Sequence, residues 1–273
     1  MSTTNIPLSR GNRESFWRRG GFAPSRPGAT IAPVLDAPDS RAAAALARVG
    51  GLGHPVRTFI FGVFFSYLAI AAVSILLGLL LTRVILQSHG IASDDERFVG
   101  FLAHHRDGSR TEASLIGSIM AGGVVLPIVV GVLSSVAACL RQWRVAGLFV
   151  FALVVESASY RTTTFFVHRH RPVVHRLENL PASASYPSGH TAASIAVYCG
   201  IGLLLSSRLT RRWQRIALWT VVAVIPVYVA LSRMYRGMHH PLDCIGGVVI
   251  GIAALAALVL CCRAAGIADR EGQ

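Results

Sequence analysis

Three short polar segments interrupt an otherwise apolar chain of 273 residues, and each carries groups suited to an anion. The first is Arg169-His170-Arg171-Pro172 and the second Tyr186-Pro187-Ser188-Gly189-His190. The third runs from Ser232-Arg233 through His239-His240 to Asp243. Arg171 and Arg233 can fork onto phosphate oxygens and stay charged at any relevant pH. Ser188 and Gly189 precede an apolar helix, so their N–H groups are expected to meet an anion at the positive end of its dipole. Gly189 also lets the backbone approach closely. His239 and Asp243 are four residues apart and share a helix face. Asp243 is then placed to accept the Nδ1–H of His239, which leaves Nε2 as a nucleophile. His190 is placed across the anion, as the acid for a leaving oxygen. These types and spacings suit phosphoryl transfer.

Such groups must be brought together by the elements around them, and those elements are apolar. Hydrophobic residues make up 53 % of the chain and charged ones 14 %, against roughly 25 % charged in an average soluble protein. Mean hydropathy is +0.54. An ordinary water-soluble enzyme is thereby excluded. Six apolar segments follow one another, at about 58–86, 115–140, 145–160, 190–206, 216–231 and 242–262. Most approach the ~20 residues that cross a bilayer as a helix, and helices satisfy their own backbone in lipid. The expected fold is all-α, a polytopic six-helix bundle. Residues 1–55 read as a disordered basic cytoplasmic tail, 56–265 as the six-span domain and 266–273 as a short C-terminal tail. No apolar stretch follows the first charges, so a cleavable leader is not expected.

The net charge is +13, and every basic residue is Arg, since the chain contains no Lys. These arginines lie between apolar runs, which is membrane-protein placement and not a nucleic-acid face. Sixteen of the 26 fall on one side if both termini are inside, so the positive-inside rule puts both termini in the cytoplasm and all three polar segments on the extracytoplasmic face. Tail residues such as Arg18 and Arg19 are expected to meet anionic lipid. The five Cys show no metal-ligand spacing and read as small buried hydrophobes.

The three segments resemble the motifs of the type 2 phosphatidic acid phosphatase superfamily, which read K-x6-R-P, P-S-G-H and S-R-x5-H-x3-D. Pro187 to His190 match the second motif without a mismatch, and Ser232-Arg233, His239 and Asp243 match the third. The first is partial, because Arg171-Pro172 are present but Thr164 stands at the lysine position. The resemblance covers about residues 57–265. It implies a phosphohistidine on His239, protonation of the leaving group by His190, no metal or other cofactor, and a lipid phosphate as substrate among the membrane lipids. Related haloperoxidases hold vanadate in the same site, but they are soluble. Hydrolysis and transfer to a second lipid alcohol both remain open, as does a non-catalytic protein keeping the fold. Arg169 is the expected substitute for the absent lysine charge, since residues two apart in an extended segment turn to one side; Arg161 is second.

Weaker signals accompany the motifs. Glu156 lies inside an apolar segment, where an ionisable group is costly and often functional, and is expected either to orient an arginine of the first motif or to pack helices. His168, His170 and His240 read as interfacial, and Arg236 as a possible substrate contact. The loop 87–114 is expected to hold an interfacial helix carrying Phe98, Phe101 and Leu102.

Overall fold

A computed structural model describes residues 32–36, 41–49, 54–88 and 90–271. Among these, the regular structure is helical: α1 (Arg41–Val49), α2 (Pro55–Arg83), α3 (Ile91–His104), α4 (Gly108–Met120), α5 (Val125–Cys139), α6 (Trp143–Phe166), α7 (Gly189–Ser206), α8 (Arg212–Tyr235) and α9 (Pro241–Glu271). Helices α2, α6, α7, α8 and α9 are each long and apolar enough to cross a membrane. Helices α4 and α5 make a sixth span if they are taken together, bent by 41° at Gly122-Gly123. The freed carbonyl of Met120 at that bend accepts a 2.7 Å hydrogen bond from the Tyr198 hydroxyl of α7, so that carbonyl is not left as an orphan acceptor in lipid. Exposed Phe64, Leu68, Leu76, Val224 and Val227 form part of an apolar belt that water would not favour.

Small residues and hydroxyls join the spans, as is usual where apolar contact alone gives no preference over lipid. Gly247 and Gly251 lie one turn apart on α9 and press against the carbonyls of Ser188 and Ala192, one turn apart on α7. A Cβ at Gly247 would stand 2.5 Å from the Ser188 oxygen, and one at Gly251 2.6 Å from that of Ala192. These two glycines therefore set the distance between the second and third motifs. Ser232 of α8 fills the space over Gly117 of α4. Thr163 of α6 donates to Ser74 of α2 at 2.8 Å, and Thr162 pairs with Tyr67 at 2.9 Å.

Part of the region expected to be a disordered tail is packed. Ala43 and Ala47 of α1 are buried beside Ala264 of α9. Arg144 binds the Leu35 carbonyl and the Asp36 carboxylate, and Arg263 binds the Val34 carbonyl. Alanine content supports both the tail reading and a helix that fits closely against another, and here the second prevails. Arg18 and Arg19 lie outside the described residues.

Candidate active site

The loop 167–188 joins α6 to α7 and folds back on itself: Arg171 N–H donates to the Ala182 carbonyl and Ser185 N–H to that of Arg169. This loop, the start of α7 and the α8–α9 junction form one cluster, so the three polar segments do converge. The Ser188 N–H, expected to face an anion, donates instead to the Asp243 carbonyl at 2.9 Å and splices the second motif to the third. The Ser188 hydroxyl pairs with Thr191. Gly189 then opens α7 directly over the Tyr160 ring, where a Cβ would stand 3.3 Å from the ring. Close approach, not left-handed geometry, is what this glycine supplies.

His239 is 2 % exposed. Its Nδ1 lies 2.7 Å from the Ser185 carbonyl, which can only accept, so Nδ1 carries the proton and Nε2 keeps its lone pair. The expected bond to Asp243 is absent, the carboxylate being 3.9 Å away. Asp243 acts through Ser185: it accepts the Ser185 hydroxyl at 2.6 Å, while the carbonyl of that same residue holds the imidazole. Burial, then the Arg233 charge, holds the His239 pKa well below the usual histidine value, so the ring is neutral at physiological pH. A neutral imidazole with a free Nε2 is a competent nucleophile.

Arg233 is fully buried. One terminal nitrogen donates to Ser118 at 2.5 Å and to the Glu178 carboxylate at 2.7 Å, while Nε and the other terminal nitrogen have no partner. Buried guanidinium N–H groups without acceptors are costly, and they are the donors an incoming phosphate would satisfy. Arg171 is buried as well and binds the carbonyls of Pro181, Ala184 and Met238. Each of its terminal nitrogens retains a second N–H. Burial lowers its pKa from the ordinary arginine value. His190, half-buried, stands in the first turn of α7.

Arg169 takes a different place from the one its sequence suggests. It is buried between two carboxylates, Asp243 at 2.5 Å and Asp95 of α3. A guanidinium saturated in this way braces the third motif and does not replace the missing lysine at an anion. Thr164, at the lysine position, donates to the Arg161 carbonyl. Arg161 is exposed and does not reach Arg171 or Arg233 through any contact described for it.

Several residues here carry no local sequence signal. Glu178 binds Arg233, Arg236 at 2.6 Å and Ser118 at 2.8 Å. Burial pushes its pKa up, but the Arg233 charge and the bonds from Arg233, Ser118 and Arg236 outweigh this and hold it at about 2. The interfacial helix expected in the loop 87–114 is α3, and it delivers Asp95 to Arg169 and Glu96 to His240 at 3.0 Å. His240 was expected at the interface but is buried against Asp243 and Glu96. Arg236 is held by Glu178, Ser114 and the Leu177 carbonyl. A lone glutamate among the arginines of the loop was the one available hint for Glu178.

Comparison with known proteins gives a consistent result. A family model described as the PAP2 superfamily matches residues 145–266. The chain is 40 % identical over 75 residues to an undecaprenyl-diphosphatase of Sulfolobus acidocaldarius, covering 28 % of this chain and 32 % of that one. It is 33 % identical over 82 residues to phosphatidylglycerophosphatase B of Bacillus subtilis, covering 30 % and 38 %. With human sphingosine-1-phosphate phosphatase 2 it shares 40 % over 80 residues, covering 29 % and 19 %. The aligned stretches thus span less than two fifths of these relatives. A crystal structure of a transmembrane PAP2-type phosphatidylglycerolphosphate phosphatase from Bacillus subtilis superposes with a TM-score of 0.58 at 21 % identity, over 72 % of this chain and 92 % of that one. The fold is therefore the one seen in that PAP2-type membrane phosphatase, and residues 145–266, which hold all three motifs, match the PAP2 superfamily model.

Proposed function

We propose that this protein is an integral-membrane lipid phosphatase that removes a phosphate monoester, or the terminal phosphate of a diphosphate, from a lipid. The observation that carries this reading is the pairing of a neutral, oriented His239 with the unpartnered N–H groups of buried Arg233. Relatives named for action on lipid phosphates and diphosphates support the same substrate class.

In this reading Arg233, Arg171 and the N–H groups of Gly189 and His190 at the head of α7 hold the phosphate oxygens. His239 Nε2 attacks phosphorus, the bond from phosphorus to the lipid oxygen breaks, and His190 protonates that oxygen as it leaves. Water then attacks the phosphohistidine, giving its proton to His190 and releasing phosphate. Asp243 positions His239 through Ser185, and Arg169 braces Asp243. A lipid alcohol replacing water in the second step would make the protein a phosphotransferase.

The site requires no metal in this scheme, because arginines supply the positive charge. Phosphate release from phosphatidate, phosphatidylglycerol phosphate and polyprenyl diphosphate by detergent-purified protein is expected to continue in excess EDTA. No release from any of them would overturn the reading. For orientation, both termini are placed in the cytoplasm and the site on the extracytoplasmic face, supported by the arginine distribution. An impermeant thiol reagent applied to intact cells should then label a cysteine introduced at Ser183 and not one at Thr210. Equal labelling would reverse or abolish that topology.

A further inference from the structure

Beside His190, the bend between α4 and α5 and the facing surfaces of α6 and α7 line an open pocket of about 370 Å³, within the range of ~300–1,000 Å³ typical of small-ligand sites. Gly122, Glu156, Tyr160, Arg161, Gly189 and His190 are among its walls. The pocket therefore adjoins the site on the side of the residue assigned to the leaving oxygen, away from Arg169 and Asp243.

Glu156 makes this pocket chemically unusual. It is 2 % exposed and lies within the span α6. Its Oε2 accepts from the Ser157 hydroxyl at 3.2 Å, while its Oε1 is buried without any hydrogen-bond partner. It does not orient an arginine of the first motif. A buried polar atom left unpaired at this depth is disfavoured, so its retention points to a donor that arrives from outside the chain. Tyr160 lies one turn along α6 on the same face, against Gly189. Four residues of helix rise about 6 Å, about the reach from an oxygen held near Gly189, across two carbons to a neighbouring hydroxyl and through that hydroxyl's hydrogen bond.

We infer that this pocket is a polar subsite for the leaving alcohol of the lipid, in which Glu156 Oε1 accepts a hydrogen bond from an O–H or N–H on a carbon next to the phosphoester carbon. The inference rests on the phosphatase reading and narrows its substrate class. Lipid phosphates with a hydroxyl or amine at that position are favoured over otherwise identical lipids without one. A site built around a hydrogen-bond acceptor rejects the analogue that leaves the acceptor unpaired.

The test compares a 1-acyl-glycerol 3-phosphate with its 2-deoxy analogue, which differs by one hydroxyl group. Wild-type protein is expected to show kcat/KM about tenfold higher for the hydroxylated lipid, the discrimination expected when a buried polar atom is otherwise left unpaired. Glu156→Leu should bring the ratio close to one, and Glu156→Gln should leave an intermediate ratio, because its amide oxygen still accepts. Equal wild-type rates on both lipids would overturn the subsite alone, and this outcome does not depend on any variant folding. A parallel loss on both lipids in Glu156→Leu, with the ratio kept, would make Glu156 a packing residue and also overturn it. Release of phosphate from neither lipid by wild-type protein would overturn the phosphatase reading and the subsite together.

Discussion

His239 and His240 are neighbours in the chain, yet their rings stand in opposite charge environments. His240 faces Asp243 and Glu96, in a cluster where Arg169 also lies between Asp243 and Asp95. Burial alone would lower its pKa, but the bond and charge of Asp243, helped by Glu96, raise it above the ordinary histidine value. His239 faces Arg233 and Arg171, and its pKa is lowered. On that side Arg233 and Arg236 pair with the Glu178 carboxylate, Arg171 binds backbone carbonyls, and two nitrogens of Arg233 lack acceptors. One half of the site is saturated and the other is short of an anion. The difference separates bracing from chemistry: a saturated cluster fixes geometry, and an unsaturated one recruits the charge that completes it.

That comparison is broken most severely at the histidines themselves. If His239 is the nucleophile proposed above, His239→Ala is expected to reduce turnover by about 10⁴-fold or more and to abolish any labelled phosphoenzyme. His240→Ala should retain the phosphoenzyme and act mainly through stability. Similar turnover losses in the two variants, measured well below either melting temperature, would erase the distinction between the halves.

The arginines sharpen the same contrast. Arg169→Met leaves Asp95 and Asp243 buried without their shared cation, a change that costs about 3–5 kcal/mol in comparable buried pairs. The expected result is a lower melting temperature in detergent. Arg233→Met removes the proposed phosphate donors while leaving only the half-buried Glu178 without its partner, so its main effect is expected on activity. A charge-assisted contact of about 1.5–3 kcal/mol corresponds to a 10- to 150-fold fall in kcat/KM. If Arg169→Met lost activity and kept its stability, Arg169 would belong with the phosphate after all.

Acid and base titrations of stability separate the groups further. Glu178 is held at about 2, below its ordinary 4.5, so the stability it contributes is present above pH 4.5 and is lost as pH falls toward 2. His239 is lowered from 6.5, so the unfolded chain takes up its proton first and stability falls as pH drops below about 6.5. His240 is raised, so its contribution is complete below 6.5 and is lost as pH rises through its folded value. Melting temperature followed across pH should therefore lose part of its acid slope in His239→Asn and part of its alkaline slope in His240→Asn. The same slope change in both variants would show that the two rings share one environment.

Much of this arrangement was legible in the sequence because the second and third motifs are short and contiguous, and because the spans are read from hydropathy. The remainder depends on contacts between distant residues. The third span was expected to stop near Tyr160, but α6 continues to Phe166 because Thr162 and Thr163 satisfy their hydroxyls on Tyr67 and Ser74 of α2. The bend at Gly122-Gly123 divides a span that reads as continuous. Arg169 was assigned to phosphate because alternation put it beside Arg171, and nothing local announced that Asp95, 74 residues earlier, would take its charge. The orienting contact of His239 is a backbone carbonyl, a group that no side-chain pattern encodes.

The smallest effect is expected at Glu178, and it tests which half this residue serves. Its carboxylate meets Arg233, Arg236 and Ser118, so it is an internal anion on the side of the site that is short of negative charge. Removing that charge should leave Arg233 freer to bind an external anion. The side chain is 25 % exposed, so solvent screening limits the gain to about 1 kcal/mol, or two- to fivefold in affinity. Glu178→Gln keeps the size and can still accept from Arg236 and Ser118. Inhibition by inorganic phosphate or vanadate should tighten by that factor, with only a small change in melting temperature. Weaker inhibition would mean that Glu178 holds Arg233 in the geometry phosphate needs, and would move it from an opponent of the anion to a brace like Asp243.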